Sequence, residues 1–377
     1  MFRRLLVPLF LFVFILPVWS APKKLTVDDL KQLLLSLQAA KKGDQDVASA
    51  LKQALLTEEL TDARKLELGP LSPGSMTTEQ IDVLQLESAM LPPPASDLPH
   101  DPAPDADGQK ALLAKAQTYV TQAVGQLPSL TASRMTMRFQ DAVAPVATFA
   151  KGTGMYQEGD PTWTQVEQPF IHMVSAMPYP VQMDHGSEVA PGKKGKNQWK
   201  TGDPTGSETP PMPLGSVFQE AAANGDLKWL RWQMIDGKKM AVFSFAIDKN
   251  KTKNTVDYCC FPVTDTTGIG LSSFQSFSEW KPFLTRVGYY GELYIDPDSG
   301  TMVRTIVHAK LKPTDFVHSE GVRTDYERMN FRLSPIVLPV RRIIQAEVVP
   351  NGDSFGSHYA VQHSYLLETY GDFKGAP

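Results

Sequence analysis

The sequence predicts an α+β protein: a curved antiparallel β-sheet with covering helices, preceded by a small all-helical segment. Three observations carry this. Apolar residues recur at helical spacing up to about residue 90. From Arg134 the period changes to two and persists, with interruptions, almost to the C-terminus. Hairpin turns then follow one another without intervening helices, which is the pattern of an antiparallel meander.

The chain opens on Arg3 and Arg4, followed by an apolar run over residues 5–18 interrupted only by Pro8 and Pro17. That run is the length of a secretory signal and falls short of the roughly 20 apolar residues a membrane span needs. Val18 and Ser20 are small enough to place cleavage after Ser20, so residues 1–20 read as a signal peptide and the mature chain as periplasmic or secreted. No cysteine follows the apolar run to take a lipid anchor, and no later stretch reaches membrane length. Loss of the two arginines takes the formal charge from −4 to −6 (−4 − 2), a mild excess that excludes a nucleic-acid partner, since phosphate binding needs clustered Lys and Arg. The basic run of Lys193, Lys194, Lys196 and Lys200 is broken by Gly and Asn and reads as a solvated loop. Cys259 and Cys260 are adjacent on a predicted strand, where side chains alternate between faces, so both are expected to be reduced.

Element by element, Thr26 and Asp29 form a capping box ahead of Leu30, Leu33, Leu34 and Leu37. A second helix carries Val47, Leu51, Ala54 and Leu55; a third is capped by Thr57 or Thr61; a fourth starts at Thr77 or Thr78 with Ile81, Leu84 and Leu86 or Met90 inward. These make a helical leader over residues 21–90. A Pro/Asp-rich linker over residues 91–108, with Pro92, Pro93, Pro94, Pro99, Pro102 and Pro104, admits neither a helix nor a central strand. Residues 109–126 are helical again, with Leu112, Leu113, Ala116, Tyr119, Val120 and Val124 on one stripe.

In the sheet, Asp236-Gly237 supplies a two-residue hairpin turn, so that Trp232 faces Ala241 and Leu230 faces Phe243. Leu230, Trp232, Met234, Phe243 and Phe245 then share an apolar face and are the candidate ligand-binding residues. A second hairpin joins residues 289–295 to 301–311 through Asp296-Pro297-Asp298-Ser299-Gly300. Further strands are expected at 256–261, 322–333, 340–349 and 359–370, and one apolar face implies a sheet covered on one side. Between Gly152 and Gly215 the pattern dissolves, with a loop insertion around residues 180–213.

Chemistry is sparse. No nucleophile elbow, phosphate loop, zinc-protease helix or dinucleotide fingerprint is present. The Asp296–Gly300 stretch lacks the bidentate Glu of a calcium loop, Val307 standing in its place. His308, His318, His358 and His363 are scattered, so no metal or cofactor is expected. Asp325 and Glu327, with Arg323 and Arg328 nearby, read as a solvated sheet face. The aromatic face is the remaining signal: each bare ring would forfeit about 4–6 kcal/mol, so something covers it. Either helices close it as an ordinary core, or they form a movable lid over an apolar cavity.

The order of elements resembles the LolA/LolB-like periplasmic lipoprotein-carrier superfamily. The resemblance rests on a signal peptide, the helix at 109–126, the strand from Ala132 to Asp141, the stretch from Gly291 to Gly300 and the later Leu338-Pro339. It implies an incomplete barrel over residues 109–377 whose lidded interior holds acyl chains, in a secreted bacterial member with a helical leader. The expectation is a non-enzymatic exported protein binding a lipid or lipoprotein acyl chains in a half-barrel. The alternative is an interaction or envelope-sensing module with a filled core, whose N-terminal helices engage a protein partner.

Overall fold

The computed structural model describes residues 22–123, 127–141, 170–184, 187–189, 206–207, 209, 212, 215–262, 280–331, 334–349 and 361–375. The expected signal peptide, Val124, the Lys193–Lys200 run and His358 lie outside the described residues. The protein is α+β, with a ten-stranded antiparallel sheet that is not closed into a barrel and six α-helices among the described residues.

The leader begins as read. Thr26 Oγ1 accepts from Asp29 N and Asp29 Oδ2 accepts from Thr26 N, both at 3.1 Å, which starts α1 (Val27–Ala39). Then come α2 (Asp44–Leu51), α3 (Asp62–Leu68), capped by Thr61, and α4 (Ser75–Ser88). One expectation fails: Ala54 and Leu55 are not helical. They belong to β2 (Ala54–Leu56), which pairs in parallel with β1 (Lys23–Leu25), while Leu55 points outward. Alternation of buried Ala54 and Leu56 around exposed Leu55 is a strand signal that the short run hides.

Leu25, Leu30, Leu34, Leu51, Leu60 and Leu84 form a core internal to the leader. Helix α4 is buried on two sides. Ile81 and Leu84 face that core, whereas Val83, Leu86 and Ala89 pack with Phe139 and Ile343 of the sheet.

Past the linker, α5 (Ala106–Ala123) starts one turn earlier than expected, and β3 (Leu130–Gln140) opens the sheet. The other strands are β4 (His172–Asp184), β5 (Ser187–Val189), β7 (Lys228–Ile235), β8 (Lys238–Ile247), β11 (Gly288–Ile295), β12 (Met302–Lys310), β13 (Val317–Phe331), β14 (Ser334–Val348) and β15 (His363–Gly375), with α6 (Ser216–Asn224) before β7. Their order is β5-β4-β3-β15-β14-β13-β12-β11-β8-β7. Strand β4 falls within residues 152–215, where the alternation dissolves. Pro178 and Pro180 disguise it, and they are tolerated because only the three-residue β5 pairs beyond it, away from both prolines. A smaller sheet orders β6 (Gly206–Ser207), β9 (Thr255–Pro262) and β10 (Trp280–Arg286) as β10-β9-β6.

The sheet is covered on both faces, not one. Helices α5 and α6 pack Leu112, Ala116, Val120, Phe218 and Ala221 against Phe243, Phe245, Leu293 and Ile295. The leader lies on the opposite face. Cys259 and Cys260, expected to be reduced, instead form a vicinal disulfide, and the peptide between them is cis.

Gly291 sits where β11 passes close to β12, and a Cβ there would overlap the Ile306 carbonyl oxygen. Gly291→Ala is expected to cost about 1–3 kcal/mol by overpacking in the middle of the sheet, read as a lower urea midpoint at unchanged slope.

Candidate functional site

Two of the four charges read as a solvated face, Arg323 and Asp325, lie in fact in the buried junction between the leader and the sheet. Asp325 and Arg323 are 9% and 4% exposed, while Glu327 and Arg328 beyond them do face solvent. A register shift between Asp325 and Tyr326 separates the two pairs. Pairing places Arg304 (β12), Asp325 (β13) and Arg341 (β14) side by side across three strands. Asp325 Oδ1 accepts from Arg304 Nε at 2.5 Å and Arg323 Nε at 3.1 Å, and Oδ2 accepts from Arg341 Nε at 2.8 Å. Desolvation raises a buried carboxyl, but the three guanidiniums outweigh it and hold Asp325 far below the usual carboxylate range.

The leader completes the cluster. Glu59 Oε1 accepts from Arg323 Nη1 at 2.6 Å and from Arg304 Nη1 at 3.4 Å. Asp62, at the start of α3, takes the Arg341 fork at 2.8 and 2.6 Å. Main-chain contacts fix the same geometry: Glu59 N donates to Pro92 O at 2.8 Å, Leu60 N to Ser88 Oγ at 3.0 Å and Arg323 Nη1 to Ala89 O at 3.1 Å. Neighbouring Arg231 grips Glu292 and the Tyr294 hydroxyl, and the Arg304 guanidinium lies 5.5 Å from the Tyr294 ring centre.

Two open clefts flank this junction. One, of about 560 Å³, runs between α3, the linker and the β7–β8 turn; the other, of about 460 Å³, runs between that turn, the start of β12 and the middles of β13 and β14. Asp62, Ile235, Asp236 and Arg304 line both. The linker is strapped to the same edge: Trp232 Nε1 donates to Pro102 O at 2.9 Å and Lys239 pairs with Asp101 at 2.7 Å.

The five residues singled out from the hairpin fall into different surroundings. Trp232 does face Ala241, but a shift between Trp229 and Arg231 puts Trp229, not Leu230, opposite Phe243. Phe243 and Phe245 are buried at 1% and 3% exposure, Trp232 is partly buried against the same cluster, and Leu230 and Met234 are both 42% exposed. Of the five, only Met234 lines a cleft at the junction. The Asp296 carboxylate serves its own turn, accepting from Asp298 N at 2.8 Å. His363 pairs with Asp141 at 2.7 Å, and His308 stacks on Tyr290.

On the opposite face of β13, Glu320 is 4% exposed and accepts from Ser207 Oγ and Thr209 Oγ1, each at 2.8 Å. Burial pushes it up to about 7 despite Arg342 nearby. Arg342 is itself engaged by Glu368 at 3.0 Å and by the Thr209 carbonyl. Glu87 on α4 is likewise raised by burial to about 7, and the Asp141 hydrogen bond raises His363.

No family model matches the chain, and neither a curated protein nor a solved structure shows significant similarity to it.

Asp325→Asn leaves three guanidiniums short of a charge partner and is expected to destabilise by about 3–5 kcal/mol, measured by urea unfolding at neutral pH. Glu320 acts in the opposite sense to Asp325. Its folded value lies above the unfolded one, so its contribution is complete below about pH 4.5 and fades as pH rises through about 7, worth about 3 kcal/mol. Glu87 and His363 share that sign. Glu320→Gln is therefore expected to flatten, by one proton's worth, the fall in unfolding free energy between pH 5 and 7.5.

Proposed function

We propose that the chain is a non-enzymatic exported protein that acts in the bacterial envelope by binding a protein partner, its sheet core filled and not shaped around a ligand. The observation that carries this reading is the packing at the candidate acyl-binding face. The Phe243 ring meets Trp229 edge-on at 5.4 Å and the Phe245 ring meets Tyr289 edge-on at 5.7 Å, under α5 and α6 side chains that are themselves buried. Among the described residues, the clefts at the leader–sheet junction are lined by Arg, Asp and Glu beside Met234, Leu98 and Pro93. Mixed charged and apolar lining suits a polypeptide better than an acyl chain, whose methylenes gain little beside ionised groups. The leader supports the same reading from its outer surface, where Leu66 is 78% exposed and Met76 45%. Export rests on residues 1–20.

Organic extracts of the purified mature protein, analysed by mass spectrometry, are expected to contain no acyl lipid near one per chain. Phe243→Ala is expected to cost about 3–5 kcal/mol as a core truncation. Stoichiometric lipid, or a Phe243→Ala protein of unchanged stability that loses affinity for a fluorescent fatty acid, overturns the reading in favour of a lidded cavity.

A further inference from the structure

The sheet face beneath the leader has the chemistry of a receptor for carboxylates. Within the buried cluster Arg304, Arg323 and Arg341 surround a single sheet acid, Asp325, three positive charges against one, while the adjoining cleft adds Asp236, Asp296 and Glu327 opposite Lys238 and Arg328. Glu59 and Asp62 of the leader bring the missing two negatives. Arg341 engages Asp62 with two parallel N–H donors, the planar geometry that selects a carboxylate. Glu58, one residue before Glu59, turns the other way and accepts from Val27 N inside the leader, so the grip on the sheet is specific to Glu59 and Asp62.

Two features make this contact exchangeable. First, the leader has its own apolar core, and none of its buried members belongs to the cluster that α5 and α6 make with the sheet. Among the described residues, direct apolar packing between leader and sheet runs through the Val83, Leu86 and Ala89 patch and Met90. Second, the flanking clefts leave the Asp62 and Arg341 side chains 42% and 24% exposed, so a competing chain reaches the bidentate pair without prior unfolding.

We propose that the leader occupies in cis a binding site for an acidic peptide segment, and that a partner presenting two carboxylates at the Glu59/Asp62 spacing displaces it. The docked leader is then an intramolecular competitor that keeps the arginines satisfied until such a partner arrives. This deepens the protein-interaction reading above and rests on it.

The probe is a fluorescein-labelled synthetic peptide of the chain's own residues 57–62, Thr-Glu-Glu-Leu-Thr-Asp, with a Gln/Asn counterpart as the neutral control. In the full-length chain, Glu59→Gln combined with Asp62→Asn is expected to bind the acidic peptide at least about tenfold more tightly than the wild type by fluorescence anisotropy, and the neutral peptide not at all. In the wild type, saturating acidic peptide is expected to speed amide hydrogen exchange in residues 75–88. Equal binding of acidic and neutral peptides, or no tightening in the double variant, overturns the proposal. If the double variant does not fold, the wild-type exchange experiment decides alone: acceleration by the acidic peptide supports the competitor, and unchanged exchange rejects it. A protein partner still captured when the peptide fails to bind leaves the interaction reading standing and removes only the competitor. Stoichiometric lipid removes the interaction reading without altering the peptide result.

Discussion

The carboxylate of Asp325 is the constraint around which the leader and the sheet are arranged. It sits at the meeting of three strands with a guanidinium from each, and none of the three could be buried there without acidic partners. Desolvating an ion costs several kcal/mol, and an ion pair repays that only where geometry is good and remaining donors are satisfied. Here the leader satisfies them. Arg323 donates to Glu59 and to the Ala89 carbonyl, and Arg341 spends its remaining fork on Asp62. Such a network adds little net stability over a well-packed apolar isostere, but it fixes where the leader sits. An apolar patch tolerates sliding, whereas a bidentate pair does not.

This division of labour recurs across the sheet. The α5 and α6 face is apolar around Phe243, Phe245 and Leu293, and supplies burial of the usual kind. The leader face couples a modest apolar patch around Phe139 and Ile343 to the ionic cluster. Helix α4 joins that patch to the leader's own core because it is apolar on two sides, and Gln345 ties its end down by donating to the Leu86 and Glu87 carbonyls. The linker adds a third tie along the β7–β8 edge through Pro102 and Asp101. A leader with a private core, strapped on by polar contacts, is a unit whose position is specified more strongly than its attachment.

Much of this architecture was legible where chemistry is local. The Thr26 and Asp29 box and the Asp236-Gly237 turn were readable because each depends on residues within four positions, and the turn's positive φ angles of 49° and 75° suit Asp and Gly. The meander followed from hairpins in series. What escaped depends on distant partners or on a single inserted residue. The shift beside Leu230 moves every side chain before it by one position, exchanging Leu230 for Trp229 opposite Phe243, and nothing in the apolar string marks it. The ionic site was half visible: Arg323 and Asp325 stand out on one strand, yet the shift between Asp325 and Tyr326 spoils any count from the β13–β14 turn to Arg341, and charges on a strand read as solvated until the covering element is known. That element lies more than two hundred residues earlier, at Glu59 and Asp62. Pro178 and Pro180 hid β4 for a different reason, since proline signals a break except beside a sparsely paired edge.

Glu320 and Asp325 show how far position governs the chemistry of one functional group. They are five residues apart on β13, an odd spacing that sends their side chains to opposite faces. Asp325 meets three guanidiniums and stays ionised, so its contribution is present at neutral pH and is lost only under strong acid. Glu320 meets two hydroxyls and an arginine already committed to Glu368, and desolvation prevails. One strand therefore carries a permanently charged anchor toward the leader and a carboxyl on the other face that changes state near neutrality. Because Ser207 and Thr209 lie at and beside β6, that second carboxyl ties the small sheet to the large one. Titration there changes the charge at the small sheet's contact while Asp325 stays ionised at the leader's, so the two attachments respond to different conditions although a single strand carries both.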